Sequence, residues 1–419
     1  MTQHVDLLII GAGPAGMAAA LVAAPTGISI ALLDDNPLPG GQIWRDGPQA
    51  QLPGVASQVR AQLQRYTNIR LHSACKVVAI AGHRCLLLED ADTGWVLAYD
   101  TLIVCTGARE LLLPFPGWTL PGITGAGALQ ALIKAGLPVA GERIVIAGSG
   151  PLLLAAAATA RKNGAHVVRI AEQASLTAVG GFTARLWQWP SKMLQAVGLA
   201  HGTYRTSAHV LDASGSARLE TVRLRIGSRT EKMVCDRLAC GFGLVPNVEI
   251  ATALGCRVEH GAIIVDPWQA TSLADHYAAG ECSGFGGSEL ALVEGRIAGL
   301  VAVGQWDQAR KLWPERKHWQ RFAHCLNRAF ALGSALKNLA KPDTLVCRCE
   351  DVPYADLANH SNWNAAKLNT RCGMGACQGR ICATAAQTLF GWEAPQLRPP
   401  FSPARIATLA CLEESNSAV

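Results

Sequence analysis

The stretch His4-Val5-Asp6-Leu7-Leu8-Ile9-Ile10-Gly11-Ala12-Gly13-Pro14-Ala15-Gly16 decides the reading of this chain. Val5, Leu7, Leu8, Ile9 and Ile10 form a near-continuous apolar run, which predicts a strand buried on both faces. Pro14 to Ala24 is rich in alanine and reads as a helix, and Ile28 to Leu33 reads as a second apolar strand ending in Asp34-Asp35. Strand, glycine turn, helix, strand and acid, in that order, is the context that gives a G-x-G-x-x-G loop its meaning as a dinucleotide-binding βαβ unit. Gly11 makes the tight turn, Gly13 lets the backbone approach a pyrophosphate, and Gly16 lets the helix pack closely on the strand. Pro14 and Ala15 open the helix, whose first N–H groups and partial positive charge suit phosphate. Asp34 stands where a carboxylate can accept ribose hydroxyls.

Segments farther along narrow the ligand. Pro39-Gly40-Gly41-Gln42-Ile43-Trp44-Arg45 follows the second strand, and its glycine pair allows the backbone to pass close beside a flat ring system. Thr101 to Cys105 reads as another apolar strand that leads into Thr106-Gly107-Ala108. Much later, His276-Tyr277-Ala278-Ala279-Gly280-Glu281 ends a strand on a glycine and an acid, before Gly284-Phe285-Gly286-Gly287 and a helix from Glu289 to Ala298. With these motifs the chain resembles the two-dinucleotide-fold flavoprotein reductases over roughly its first three hundred residues. The resemblance implies FAD held by Gly11, Gly13, Pro14, Ala15, Gly16, Asp34, Gly41, Gln42, Thr106, Gly107, Gly280 and Glu281. In that family the Gly-acid pair contacts the flavin ribityl chain. Glu281 stands where aspartate is usual, one methylene longer and still an acceptor.

A second βαβ unit is expected inside the first. Arg143 to Ala147 reads as a strand, Gly148-Ser149-Gly150-Pro151-Leu152-Leu153 as its loop, the residues to about Lys162 as its helix, and Val167 to Ile170 as its second strand, with Glu172 beyond. Leu153 replaces the third glycine, so the helix should be pushed from the strand. Glu172 favours a free 2′-hydroxyl over a 2′-phosphate. Two readings stand here. Gly148, Gly150 and Glu172 hold NAD or another adenine nucleotide, or the fold is retained with an altered or empty site. No C-x-x-C pair precedes residue 347, which argues against a dithiol oxidoreductase.

Fourteen cysteines are unevenly placed. Cys75, Cys85, Cys105, Cys235, Cys240, Cys256, Cys282, Cys325 and Cys411 are scattered and read as small core hydrophobes. Cys347, Cys349, Cys372, Cys377 and Cys382 crowd together. Two thiolates one residue apart can grip a cluster from one loop, and a pair spaced by four residues among glycines can wrap its other side, which satisfies a [2Fe–2S] cluster. Structural zinc also takes four thiolates, but a one-electron centre has a use beside a flavin. The segment resembles the small [2Fe–2S] domain of bacterioferritin-associated ferredoxins and nitrite reductases, although residues 350–376 make a slightly short interval between the pairs. The expected ligands are Cys347, Cys349, Cys377 and Cys382. Cys372, also at C-x4-C spacing from Cys377, remains an alternative.

A length of 419 residues calls for two or three domains. Half the residues are hydrophobic, and the net charge of +6 is spread without a basic run, which argues against a nucleic-acid surface. No apolar stretch reaches the roughly 20 residues of a membrane span, and no secretory signal is evident. A cytoplasmic location is expected, with any contact to the inner face of the membrane made through a complex. The fold class expected is α/β: a Rossmann-like FAD domain (1–117 and 245–304) with an inserted second nucleotide-binding domain (118–244), a helical connector (305–343), a small [2Fe–2S] domain (344–392) and an irregular tail (393–419). Trp306, Trp313, Trp319 and Phe322 in the connector read as packing residues, as does His276 in the late strand.

Taken together, the 40–45 motif, Pro114-Phe115-Pro116-Gly117-Trp118-Thr119-Leu120-Pro121-Gly122, the second loop, Ala279-Gly280-Glu281, Glu289-Leu290-Ala291-Leu292-Val293-Glu294-Gly295-Arg296 and the terminal cysteines look like the α-type subunit of heteromeric amino-acid dehydrogenases. That family includes hydroxyproline, proline and opine dehydrogenases and hydrogen cyanide synthase. The resemblance implies an electron-transferring subunit with FAD and a cluster. A β-type flavoprotein partner would carry the substrate site, and a small ferredoxin-like γ subunit often joins. No general base or nucleophile stands out, and no catalytic residue is assigned. The competing readings are a stand-alone NADH-dependent flavin reductase feeding a partner through its own cluster, a glycine-oxidising hydrogen cyanide synthase subunit, and an assembly subunit that holds a nucleotide structurally.

Overall fold

The run from Leu7 to Ile10 forms the centre of a sheet because alternate side chains find two different apolar layers. Leu7 and Ile9 enter one buried cluster, and Leu8 and Ile10 enter the other. The computed structural model describes residues 3–48, 50, 52–393 and 398–416. Gln3–Ile10 pairs in parallel with Ile30–Leu33 on one side and Gly94–Val104 on the other, with Ile9 opposite Leu32 and Ile103. The sheet runs Ile69–His72, Ile30–Leu33, Gln3–Ile10, Gly94–Val104, Cys85–Glu89, Lys76–Gly82. His276–Ala278 also joins Gly94–Val104 in parallel, while the two strands beyond it in the path are antiparallel. The helix Pro14–Ala23 covers one face. A methyl group on Gly16 would lie 1.9 Å from the Gly11 carbonyl oxygen, so only glycine admits this turn.

Two compact units result. The first comprises residues 1–109, 246–324 and 397–419, and the second 110–245 and 325–396. The first division falls earlier than the proline-rich 114–122 motif, the return comes at Val245 and Pro246, and the connector is split between His324 and Cys325.

The second unit contains a parallel sheet in the order Tyr204–Arg205, His166–Glu172, Arg143–Gly148, Arg237–Gly241, Ile123–Gly125. An antiparallel sheet of Ala208–Ser214, Thr221–Ile226 and Arg229–Val234 accompanies it. Leu153 does not behave as expected. It is fully buried in the layer formed by Ile144, Ile146, Ala156 and Ala239. Room for it comes from Gly241 on the neighbouring strand, where an added methyl group would lie 3.1 Å from Leu153 Cδ2. The missing third glycine is thus compensated from across the sheet.

The same unit holds the cysteine-rich segment. Leu345–Cys347 pairs with Val352–Pro353, and the helices Tyr354–Ala358, Trp363–Thr370 and Cys382–Phe390 follow. The tail is more regular than expected. Ile406–Asn416 is helical, and Arg405 anchors it to the first unit through its N–H to Glu89 at 2.8 Å. Residues 394–397 and 417–419 of that tail lie outside the described residues. His276 packs, as expected: it is buried, 3.1 Å from the Tyr99 hydroxyl, with its ring edge-on to the tyrosine. Trp313 packs 4.5 Å from Trp268, and Trp306 meets the same ring edge-on at 5.1 Å while remaining 45% exposed.

Candidate functional site

The first glycine loop is clasped by its own acid. Asp34, buried at the end of Ile30–Leu33, accepts the Ala12 N–H at 2.9 Å through Oδ2. Its Oδ1 accepts the Asn36 N–H and side-chain amide, each at 2.8 Å. A carboxylate has about four acceptor positions, so Asp34 is chiefly the clasp of the loop and has little capacity left for a sugar hydroxyl. Gly13 and Gly41 face each other: a methyl group on Gly41 would lie 3.2 Å from Gly13 Cα. That leaves a side-chain-free passage beside the N-terminus of the helix Pro14–Ala23. Gln42 follows in the same turn and accepts from Arg45 at 3.0 Å, and Arg45 also donates to Asn36 at 3.0 Å.

Thr106 and Gly107 are held by Asn247. The Asn247 side chain donates to the Thr106 carbonyl at 2.9 Å and its N–H to the Gly107 carbonyl at 2.9 Å. Arg109 fixes Asn247 Oδ1 at 2.7 Å and pairs with Glu249 at 2.7 Å. Gly280 sits in a left-handed turn, φ +81°, and an added methyl group would meet Ala15 at 3.0 Å. Glu281 follows, and burial pushes its carboxyl above the ordinary range. Such a group fits a ligand that brings hydroxyl donors. The side-chain-free passage at Gly13 and Gly41, the helix N-terminus and the acceptor at Glu281 fit FAD, which would bring pyrophosphate, an adenosine and a polyhydroxylated ribityl chain.

Sequence reading missed the support beneath Gly280. Glu294, buried on Gly287–Ala302, accepts the Gly280 N–H at 3.2 Å and faces Arg316 Nε at 3.5 Å. Gln269, wholly buried, donates to the Ala278 carbonyl at 2.9 Å and accepts from Arg316 at 3.0 Å. The available signal was an acid directly after the apolar run Leu290 to Val293 of that helix. Burial pushes the Glu294 carboxyl up, against the opposing pull of Arg316.

The second loop has a different backbone. Gly150 has φ +94°, whereas Gly13 at the equivalent place has φ −76°. Glu172 is fully buried and accepts the Gly150 N–H at 2.7 Å and the Ala174 N–H at 2.8 Å. Asp34 takes the second residue of its loop and Glu172 the third. Burial pushes the Glu172 carboxyl up, and these hydrogen bonds oppose the shift.

Of the terminal cysteines, the structure groups Cys347, Cys372 and Cys382, whose sulfurs all lie within 4.8 Å of one another and are all buried. Cys349 is exposed and Cys377 half-buried. Gly375 packs directly on Cys349: a methyl group there would lie 2.2 Å from its Cβ. Burial raises the Cys347 thiol, opposed by N–H groups of Gly373, Glu350 and Cys349 that point at its sulfur. Cys382 is raised first by its hydrogen bond with Cys372 and then by burial. Thiols at close range with backbone N–H groups aimed at a sulfur are a donor set suited to a thiolate-bound metal cluster. Trp118 anchors the turn: its Nε1–H donates to the Leu345 carbonyl at 2.5 Å, and the Arg348 guanidinium lies 5.2 Å from its ring centre. The scattered cysteines are buried or half-buried, as core residues should be. Among the described residues, no helix is long and apolar enough to cross a membrane.

Residues 5–310 match the family described as pyridine nucleotide-disulphide oxidoreductase. An opine oxidase subunit from Agrobacterium tumefaciens is 29% identical, over 100% of this chain and 94% of its own length. The hydrogen cyanide synthase subunit HcnB of Pseudomonas protegens is 30% identical, over 90% of this chain and 89% of its own length. Among solved structures, L-proline dehydrogenase from P. horikoshii superposes with a TM-score of 0.69 at 17% identity, covering 98% of this chain and 80% of that one, a likeness of fold.

Proposed function

The chain belongs to the pyridine nucleotide-disulphide oxidoreductase family of FAD-dependent oxidoreductases, and from that premise we propose that it is the electron-transferring subunit of a heteromeric amino-acid dehydrogenase. The observation that carries the proposal is likeness from end to end, cysteine segment included, to the opine oxidase subunit. In this reading a β-type flavoprotein partner oxidises the C–N bond of D-hydroxyproline, proline or an opine, and a small ferredoxin-like subunit completes the assembly. HcnB, at comparable identity, supports the alternative of a hydrogen cyanide synthase subunit, for which we propose glycine as the substrate.

This chain's residues divide the work. Gly11, Gly13, Pro14, Ala15, Gly16, Gly41 and Gln42 shape the pyrophosphate passage, and Asp34 clasps it. Thr106, Gly107, Gly280 and Glu281 line the far end, steadied by Asn247 and Glu294. Bound FAD would supply the conversion between two-electron and one-electron transfer. Cys347, Cys349, Cys377 and Cys382 would hold the [2Fe–2S] cluster. Cys347 and Cys382 also belong to the close trio, and Cys349 lies against Gly375 in the turn that carries Cys377.

Co-expression with candidate partner subunits, followed by flavin reduction with a panel of D- and L-amino acids, glycine and opines, tests the proposal. Reduction is expected only in the complex. Reduction of this chain alone by any of these substrates overturns the division of labour.

A further inference from the structure

The second glycine loop carries an unusual set of neighbours. Ser149 Oγ donates to the Phe330 carbonyl at 2.9 Å. Gln173, next after Glu172, donates through Nε2 to Ser149 Oγ at 3.0 Å and to the Ala331 carbonyl at 2.8 Å. The Gln173 carbonyl oxygen accepts the Gly333 N–H at 2.9 Å. A methyl group on Gly150 would lie 3.9 Å from Phe330 Cβ. The Phe330 ring sits edge-on to Phe182 at 5.4 Å, and Leu336 and Leu339 just beyond are buried in the core of the same unit. Residues 330–333 therefore lie on the loop, held at both ends of the short segment.

We propose that residues 330–333 are a built-in plug of the second nucleotide site, competing with an adenine nucleotide for the loop at Ser149 and Gly150 and latched there by Gln173. This rests on reading Gly148–Gly150 as a nucleotide-type loop, and it deepens the proposed role by closing the chain's NADH entrance.

Three features support an intramolecular occupant over a preserved nucleotide site. A dinucleotide needs free N–H groups at the loop and a carboxylate at the end of the second strand. Here the Gly150 N–H is already taken by Glu172, and Glu172 spends its other oxygen on Ala174. Gly150 also adopts the left-handed conformation, which turns its amide away from the course that Gly13 follows. Ser149 and Gln173 both bind the segment. The occupant is neutral backbone, which needs no phosphate-binding charge. Leu153, kept in place by Gly241, keeps the fold intact while the site serves this other purpose.

The test uses the full-length flavin-loaded protein. ADP and NADH binding are titrated calorimetrically, and amide hydrogen exchange is followed at 330–333, for the native chain, Gln173→Ala and Phe330→Ala. Retained flavin absorbance controls for folding. The native chain should bind ADP weakly, with the Gly333 amide protected. Both variants should bind ADP at least about tenfold more tightly, the equivalent of about 1.4 kcal/mol, and exchange Gly333 faster. Unchanged ADP affinity in both variants overturns the proposal. So does tight ADP binding by the native chain that leaves exchange at 330–333 unaltered. Amino-acid-driven flavin reduction in the complex should be the same with and without Gln173→Ala. Its loss in the native complex would count against the subunit role, not the plug.

Discussion

Glu294 accepts the Gly280 N–H at 3.2 Å from inside a helix, so a buried acid holds the turn that precedes Glu281. The same carboxylate faces Arg316, which in turn meets Gln269. Breaking a buried pair leaves its partner charge uncompensated, which costs about 3–5 kcal/mol. Glu294→Gln should lower stability by about that amount and weaken flavin retention, as read by thermal unfolding and by release of flavin on dilution. Replacing Glu294 and Arg316 together with apolar residues should cost less than Glu294→Gln alone.

Glu172 gives a pH prediction. Its carboxyl is raised above the ordinary value of 4.5 by burial, so the folded chain retains a proton that the unfolded chain releases. The stabilising contribution is present below 4.5 and is lost as pH rises through the folded value. The destabilisation caused by Glu172→Gln should therefore be largest near the ordinary value and shrink toward neutral pH. Urea midpoints of the native chain and the variant across that range provide the measurement, and a constant difference would contradict the assignment.

The cysteine segment makes a sharper distinction. Iron and acid-labile sulfide should be lost in Cys347→Ala, Cys349→Ala, Cys377→Ala and Cys382→Ala, and kept in Cys372→Ala. Loss in Cys372→Ala with retention in Cys377→Ala would instead select the close trio that includes Cys372.

Trp118 secures the same segment from a turn in its own unit. Trp118→Ala removes a buried ring, at a typical cost of about 3–5 kcal/mol, together with the bond to Leu345 and the contact with Arg348. Iron content should fall while bound flavin, whose proposed site lies in the other unit, remains at its native stoichiometry.

Gly241→Ala should be unfavourable out of proportion to one methyl group. The added carbon would meet Leu153 at 3.1 Å and Ala126 at 3.3 Å, and overpacking of this kind costs about 1–3 kcal/mol. Pairing it with Leu153→Ala should recover part of the loss, as measured by chemical denaturation.

Much of the fold was legible because it is written locally. The strand at Leu7–Ile10, the glycine turn and the helix after Pro14 follow from a few consecutive residues, and the helix Leu152–Lys162 follows from its alanines. The remainder depends on partners distant in sequence. Nothing around Leu153 announces that Gly241 makes room for it, and nothing around Gln173 announces Gly333. Asp34 was placed correctly at the strand end, but its commitment to Ala12 and Asn36 appears only when the turn closes. The tail helix escaped notice because its contacts lie on Glu89 and the loop at residues 90–92, far upstream.

That tail has an architectural consequence. Because residues beyond 397 return to the unit where the chain began, the cysteine segment is an interior excursion and not a terminal appendage. A truncation that spares every cysteine up to Cys382 would still cut the Arg405 tether to Glu89. The segment can be exchanged between relatives only as a cassette with two splice points, and grafting it onto the end of another flavoprotein would leave that second seam unmade.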